Sequence, residues 1–294
     1  MRIFVLIAAV ALPVVAFAAQ GPDWAFPDQN ASPQPPADAT PAPAANDAAR
    51  LPPDPAAPAI VRDGKGAGVR ACDGCHFVTG LGEPESAGLA ALPSAYFVQT
   101  MADFRSGARK GARANNMIAF AKGLTDDENK TIGDYYASLK AKPWVKVIES
   151  ATVPKTYIGA ANGRRLWPTG GDEALGERVI EFPADFATLR AANSQGYVAY
   201  IPPGSIAQGE ALVKTGGGGK AVACSTCHGA TWTGQGNVPG IAGRSPVYTA
   251  RQIYMFQSGD RAGPNGEIMK GAVAKLQDHD IIAISAYLAS RPPS

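Results

Sequence analysis

Two short stretches of this chain share one pattern: Cys72-Asp73-Gly74-Cys75-His76 and Cys224-Ser225-Thr226-Cys227-His228. In both, two residues separate a pair of cysteines, and a histidine follows the second cysteine directly. Together they contain all of the 4 cysteines and two of the 3 histidines in the 294-residue chain. The residues best suited to bind a cofactor are therefore concentrated in two places.

The pattern C-x-x-C-H is the attachment signature of c-type haem. Two thiols three residues apart reach the vinyl groups on one side of the macrocycle, and the next residue then lies under the iron as its proximal ligand. The alternatives are a redox-active cysteine pair, a zinc site or structural disulfides. A redox motif would have a strand before it and a helix after it, whereas Gly-rich sequence follows both stretches. A shared zinc site would leave both histidines without a role.

We therefore predict two covalently bound haem c groups. Their thioether bonds would come from Cys72, Cys75, Cys224 and Cys227. His76 and His228 would be the proximal iron ligands.

The chain also contains an internal duplication, because the offset of 152 between Cys72 and Cys224 continues without a gap to Ser138 and Ser290. At this offset the matched pairs include Tyr96 and Tyr248, Phe104 and Phe256, Arg109 and Arg261, Met117 and Met269, and Tyr135 and Tyr287. A repeated register of this kind indicates two related domains, here named the first and the second copy.

The sixth iron ligand follows from the residues that the two copies share. The third histidine, His279, is matched by Asp127 and cannot be a repeated ligand. Met117 and Met269 match each other, and each lies 41 residues after its histidine. We predict the ligand pairs His76/Met117 and His228/Met269. Because a neutral thioether raises the reduction potential and closes the iron, this ligation predicts a one-electron carrier without catalytic residues.

The periodicity of apolar residues predicts a mainly α fold in which each copy is a small helical domain, and the C-x-x-C-H motifs place one covalent haem in each. Thr125 and Glu128 form a capping box before one helix, and Ser245-Pro246 begins another. A packed connector of roughly 60 residues with little β structure joins the domains. Two short strands are predicted in it, at Arg178–Phe182 and Tyr197–Ile201. The predicted boundaries are 1–18 for a signal peptide, 19–58 for a Pro/Ala-rich tether, 59–143 for domain 1, 144–203 for the connector and 204–294 for domain 2.

Composition and the N-terminus restrict the location and the partners. A net charge of +2 predicts no nucleic-acid partner. The apolar run from Ile3 to Ala16, followed by small residues, predicts a signal peptide cleaved after Ala18, export to the periplasm and no stable membrane insertion afterwards. A retained membrane anchor is the weaker alternative, because the run is short and contains Pro13. Trp24 and Phe26 could dock on the folded body or stay exposed.

A basic cluster precedes Met117 and contains Arg105, Arg109, Lys110 and Arg113 without an acidic residue among them. It could steer an acidic partner, neutralise haem propionates or form a solvated loop. The match between Arg109 and Arg261 favours the propionate role for that pair.

The sequence resembles the tandem dihaem class I cytochromes c, and in particular the bacterial cytochrome c-four type. The resemblance rests on the two C-x-x-C-H motifs, the paired methionines, the closing helices with Tyr135 and Tyr287, and the segments AYFVQTMADFRSGARK (95–110) and VYTARQIYMFQSGDRA (247–262). It implies two tandem cytochrome c domains, each a small helical fold around one covalent haem. It also implies a periplasmic protein that passes electrons between a donor, either a dehydrogenase or a quinol-oxidising complex, and a terminal oxidase or reductase.

Two alternatives to a free electron carrier remain. The chain could be the cytochrome subunit of a periplasmic dehydrogenase complex. It could also be a haem enzyme, such as a peroxidase or a thiosulfate-oxidising cytochrome, but the paired methionines argue against the open iron coordination that such enzymes need.

Overall fold

A computed structural model describes residues 21–27, 51–111, 114–158, 165–166 and 170–293. The predicted signal peptide, residues 28–50 of the predicted tether, and Arg113 lie outside these ranges. The α-helices are α1 (Ala59–Arg62), α2 (Asp73–His76), α3 (Ser94–Ser106), α4 (Asn115–Gly123), α5 (Asp126–Ser138), α6 (Ser205–Thr215), α7 (Ser225–His228), α8 (Pro246–Ser258), α9 (Pro264–Val273) and α10 (Asp278–Ala289). None of these helices combines the length and hydrophobicity needed to cross a membrane.

The strands are short and lie mostly between the two helical groups. They are β1 (Val145–Glu149), β2 (Thr152–Pro154), β3 (Tyr157–Ile158), β4 (Arg165–Leu166), β5 (Asp172–Ala174), β6 (Ile180–Pro183), β7 (Tyr197–Ile201), β8 (Gly234–Gln235) and β9 (Val238–Pro239). The mainly α fold class is confirmed, with helices in both copies and little strand outside the connector.

The first copy packs α3 against α5 around one apolar core. Pro93 precedes α3, and the predicted capping box at α5 is present, with Glu128 N donating to the Thr125 hydroxyl. The core contains Phe97, Met101, Phe104, Ile132 and Tyr136. The helix that precedes the cysteines, α1, has only four residues.

The second copy has a full opening helix, and this difference enlarges its core. Helix α6 crosses α10 at Gly209, where an added Cβ would lie 2.0 Å from the carbonyl oxygen of Ala283. Helix α8 begins with the predicted Ser245-Pro246 pair, and the Ser245 hydroxyl accepts a hydrogen bond from Tyr248 N at 3.0 Å.

The connector contributes a three-stranded sheet in the order β1-β7-β6, with β1 and β7 parallel and β6 antiparallel to β7. The two strands predicted from the sequence correspond to β6 and β7. Trp144 and Tyr197 of the connector form a small core with Phe77 of the first copy. The Trp144 indole also donates to the carbonyl of Gly82 at 2.9 Å. The connector is therefore packed against the first copy.

The segment that contains Trp24 docks on the second copy. Trp24 and Ala25 are buried within the core of that copy. The rings of Trp24 and Phe26 contact Tyr254 edge-on, with centroids 6.5 and 6.0 Å away. Of the two outcomes that the sequence left open, the docked one is observed.

The close crossing of α6 and α10 predicts that Gly209→Ala destabilises the protein by about 1–3 kcal/mol, since the added methyl group would push the helices apart. Gly271→Ala on α9 is the matched control. A Cβ at Gly271 would meet nothing within 4 Å, so this variant should gain up to about 1 kcal/mol. Equal stabilities of the two variants in urea unfolding would contradict this packing.

A buried carboxyl group supports the start of α8. Glu181 on β6 accepts hydrogen bonds from the Ser245 hydroxyl at 2.6 Å and from Val247 N at 3.3 Å. Burial raises the pKa of Glu181 from 4.5 to about 8, although both hydrogen bonds act in the opposite direction. Between these two pH values the folded state binds more protons than the unfolded state, so stability falls as pH rises.

We expect Glu181→Gln to flatten the pH dependence of the unfolding free energy between pH 5 and 8. The wild-type slope from this group reaches at most about 1.4 kcal/mol per pH unit. The glutamine oxygen keeps an acceptor for Ser245 and Val247. Glu210→Gln is the control, because Lys214 lowers the pKa of Glu210 and moves its contribution below this range. An unchanged slope in Glu181→Gln would rule out Glu181 as its source.

Candidate haem-binding sites

The two C-x-x-C-H stretches adopt the same local structure. Each forms one helical turn, α2 or α7, with the first cysteine immediately before the turn and the histidine as its last residue. The backbone N–H of His76 bonds the carbonyl of Cys72 at 3.0 Å, and that of His228 bonds the carbonyl of Cys224 at 2.9 Å. This turn places both thiols of a pair and the imidazole within five consecutive residues.

All four cysteines are free thiols. Burial raises the pKa of Cys72 to about 12 and that of Cys224 to about 11, which keeps both protonated. In the described part of the chain, no group of three or more His, Cys, Asp or Glu side chains could hold a metal ion. The two pairs therefore form neither disulfides nor a shared zinc site in this structure.

Each buried histidine is held by a carbonyl eleven residues further along the chain. The Nδ1 atom of His76 lies 2.7 Å from the oxygen of Ala87, and Nδ1 of His228 lies 2.8 Å from the oxygen of Pro239. A carbonyl only accepts, so Nδ1 carries the proton and Nε2 keeps its lone pair. Burial lowers the pKa of both histidines, against the effect of the carbonyl bond. The result is two neutral imidazoles with Nε2 available to a metal.

After each histidine the chain turns through the left-handed region. Phe77 takes φ 62°, and the matched residue Gly229 takes φ 80°. A side chain in this region carries strain of the order of 1 kcal/mol. Packing offsets it at Phe77, whose ring contacts Trp144 edge-on at 6.0 Å and lies under the guanidinium of Arg190 at 4.5 Å.

The matched methionines lie on equivalent helices. Met117 is on α4, and Met269 is on α9. Met117 packs against the same core as Cys72, and Met269 packs against the same core as Cys224. The side chain of the third histidine, His279, is 45% exposed near the start of α10.

The two copies meet along a seam with approximate twofold symmetry. Lys110 N donates to the carbonyl of Asp260 at 2.7 Å, and Ala262 N donates to the carbonyl of Ala108 at 2.8 Å. Arg109 and Arg261 face each other in this antiparallel bridge. The Arg109 guanidinium donates to the Tyr248 hydroxyl at 3.2 Å, and in the reciprocal contact Arg261 donates to the Tyr96 hydroxyl.

The described contacts of these two guanidiniums are all with neutral groups. Both donate to the same acceptor, the side-chain oxygen of Gln252, at 2.8 Å from Arg109 and 3.0 Å from Arg261. Each also lies over a phenylalanine ring, of Phe104 or Phe256. Among the described residues, the buried Nε of Arg109 has no hydrogen-bond partner. Two adjacent positive charges in this setting are suited to binding anionic groups.

Two members of the basic cluster, Arg109 and Arg105, bind groups of the chain itself. Arg109 is only 7% exposed and lies in the seam. Arg105 donates to the carbonyls of Ala121 and Leu124 and pairs with Asp126. Lys110 is exposed, and Arg113 lies outside the described residues.

The donor sets fit haem c. Each copy supplies two free thiols, a neutral imidazole with an available Nε2 and a partly buried thioether, which are the ligand types that c-type haem uses. The Nε of Arg109, which has no hydrogen-bond partner within the described part of the chain, is available to donate to an acidic group.

Comparison with known proteins agrees with these donor sets. The family model described as "Cytochrome c" matches residues 206–292. A cytochrome c-554(547) from Halothiobacillus neapolitanus is 35% identical over 23% of this chain and 82% of its own length. The chain belongs to the cytochrome c family. Haem c bound through cysteine thioethers is therefore its cofactor.

Two longer matches lie within this family. Cytochrome c4 from Stutzerimonas stutzeri is 31% identical over 40% of this chain, and the match spans 63% of that protein. A thiosulfate dehydrogenase electron acceptor from Thiomonas intermedia is 28% identical over 76% of this chain and 79% of its own length. The predicted resemblance to cytochrome c4 is confirmed.

Solved structures share the fold. The thiosulfate dehydrogenase (TsdBA) from Marichromatium purpuratum superimposes with a TM-score of 0.54 at 25% identity, over 80% of this chain and 39% of that one. Reduced cytochrome c4 from Pseudomonas stutzeri superimposes with a TM-score of 0.50 at 22% identity, over 75% of this chain and 93% of that one. The latter supports the cytochrome fold alone.

Several residues of the site have no sequence signal. The carbonyls of Ala87 and Pro239 act through the backbone, and any residue could supply them. Gln252 is matched by Thr100 in the first copy, so comparison of the two copies does not identify Gln252 as a site residue. Only the position of α8 beside the seam brings Gln252 between the two arginines.

Proposed function

We propose that this chain is a periplasmic dihaem c-type cytochrome that carries single electrons between a donor and an acceptor protein. The observation that supports this most is the repeated site: in both copies a buried imidazole donates through Nδ1 to a carbonyl eleven residues away, beside two free thiols. One such site would describe any small cytochrome c. Two in one chain support two haems.

In this proposal each residue of the site has a separate role. Cys72 and Cys75 hold the first haem, and Cys224 and Cys227 hold the second. His76 and Met117, and in the second copy His228 and Met269, are the axial ligands. With both axial positions filled by protein, the bound iron changes oxidation state without binding a substrate, and no catalytic residue is required.

The arginine pair of the seam would receive acidic groups of the haems. Arg109 and Arg261 are adjacent, contact only neutral groups among the described residues, and lie between the two copies. A haem propionate placed there would neutralise charge that burial otherwise disfavours. This assignment keeps the propionate role expected for the matched pair and brings both haems towards the seam.

The donor in this proposal is a dehydrogenase that oxidises an inorganic sulfur compound. The match to the thiosulfate dehydrogenase electron acceptor is the longer of the two, at 76% of this chain against 40% for cytochrome c4. The cytochrome would then work either as a free carrier or as the electron-accepting subunit of the dehydrogenase complex. Co-purification of a catalytic subunit at high salt would favour the subunit.

We expect two haems per chain and no change in the absorption spectrum when carbon monoxide is added to the dithionite-reduced protein, because both irons are closed by histidine and methionine. Met117→Ala should open one site, so that about half of the haem then binds carbon monoxide. Met101→Leu is the control, since Met101 is a buried core residue of α3.

A prompt spectral change in the wild-type protein would contradict the closed sites and favour the haem-enzyme alternative, which peroxide and sulfur-compound turnover would then test. A carbon monoxide response in Met101→Leu as large as that in Met117→Ala would remove Met117 as the ligand.

We also expect a purified thiosulfate dehydrogenase, supplied with thiosulfate, to reduce both haems of this protein. The measurement is the rate at which the reduced absorption band develops after rapid mixing, with enzyme or thiosulfate omitted as controls. If dithionite reduces both haems but the enzyme with thiosulfate reduces neither, this donor class is wrong, while the electron-carrier function stands.

A further inference from the structure

The loop that holds the first histidine is a tight turn. Glu83 and Ser86 exchange two backbone hydrogen bonds of 2.9 Å each. The next residue is Ala87, whose carbonyl accepts the Nδ1–H of His76. The geometry of this turn therefore decides where the acceptor of the first proximal histidine lies.

A buried arginine of the second copy contacts one side of this turn. Arg251 on α8 is 2% exposed, and its Nη1 donates to the carbonyl of Pro84 at 2.8 Å. Its Nε donates to the carbonyl of Ala25 at 2.7 Å, in the docked segment beside Trp24. One guanidinium thus joins the N-terminal segment, the second copy and the turn of the first copy.

A second arginine contacts the other side. Arg244 donates from Nη1 to the carbonyl of Gly88, directly after Ala87, and from Nε to the carbonyl of Gly240 in its own copy at 3.2 Å. Arg251 and Arg244 therefore bind backbone oxygens three residues before and one residue after the acceptor of His76.

The first copy does not supply equivalent arginines from these two positions to the second copy. The residues of the first copy that match Arg244 and Arg251 are Leu92 and Gln99. The Gln99 amide donates to Asp103 within its own helix. The turn around Pro239, which holds His228, therefore receives no guanidinium from these positions.

We propose that Arg244 and Arg251 are positioning residues that hold the Ala87 carbonyl against His76 and so set the reduction potential of the first haem alone. The inference rests on the proposed function, since it takes His76 as the iron ligand. A hydrogen bond accepted from the outer nitrogen of a metal-bound histidine makes the imidazole more basic, which favours the oxidised metal. Loosening the turn should therefore raise the potential of the first haem.

The test uses Arg251→Lys and Arg244→Lys in the dihaem protein, because lysine keeps the positive charge but lacks the planar fork that serves two acceptors. In a redox titration we expect each variant to raise the reduction potential of the first haem, so that the equilibrium constant for its reduction increases about threefold or more. The potential of the second haem should not change.

The variant Met117→His assigns the two transitions of the titration to the two haems, since it moves only the transition of the first haem. Arg178→Lys in the connector is the control, because its guanidinium donates to the carbonyls of Ala174 and Leu175, away from the turn.

Charge alone predicts a different result. If these arginines act only through their positive charge, the lysine variants leave both potentials unchanged, and Arg251→Gln lowers that of the nearer haem. That pattern, or an equal shift of both haems in the lysine variants, would overturn the proposal. If neither lysine variant can be prepared with two bound haems, hydrogen exchange of the wild-type protein tests the proposal instead. The Ser86 amide should be as protected as those of α3, and exchange at the rate of an open loop would overturn the proposal.

The two proposals fail differently. If the ligand assignment is wrong, carbon monoxide binds to the reduced wild-type protein or Met117→His moves neither wave. If only the positioning role is wrong, the wild-type protein stays closed to carbon monoxide and the potentials in Arg251→Lys and Arg244→Lys do not move.

Discussion

The fixed, neutral imidazole is the constraint on which both sites depend. In each copy a histidine at the end of a single helical turn is buried and bonded through Nδ1 to a carbonyl eleven residues later. This bond closes the Gly-rich loop between the cysteines and the next helix. It also leaves Nε2 as the free nitrogen, which binds the iron in the proposed function, so that one hydrogen bond would serve both local folding and iron binding.

The two copies keep this unit and differ in what surrounds it. The second copy has a full opening helix that crosses α10 at Gly209, whereas the first has four residues at the corresponding place. In the first copy, contacts from outside hold the loop that follows His76. Trp144 of the connector bonds Gly82, and Arg251 of the second copy bonds Pro84. The shortened opening helix is thus accompanied by contacts that tie the first copy to the rest of the chain.

The seam between the two copies connects their structure to the proposed electron transfer. Arg109 and Arg261 meet at an approximate twofold axis, and Gln252 accepts hydrogen bonds from both. In the proposed function this seam lies between the haems and receives their acidic groups. The asymmetry introduced by Arg244 and Arg251 would then give two otherwise similar haems different potentials, and so a direction to the transfer between them.

The sequence by itself determined the covalent haem, the duplication, the mainly helical fold and two of the seven strands that lie between the copies. These depend on local patterns: C-x-x-C-H within five residues, an offset of 152 that continues through Met117 and Met269, and capping residues such as Thr125. Only the tertiary structure decided the burial of Arg109 in the seam, the docking of Trp24 and the contacts of the His76 turn. Arg109, Arg244 and Arg251 act on groups far along the chain, and two of their acceptors, Pro84 and Gly88, contribute backbone oxygens that every residue has. Such contacts leave no residue pattern, because their specificity comes from where the chain folds.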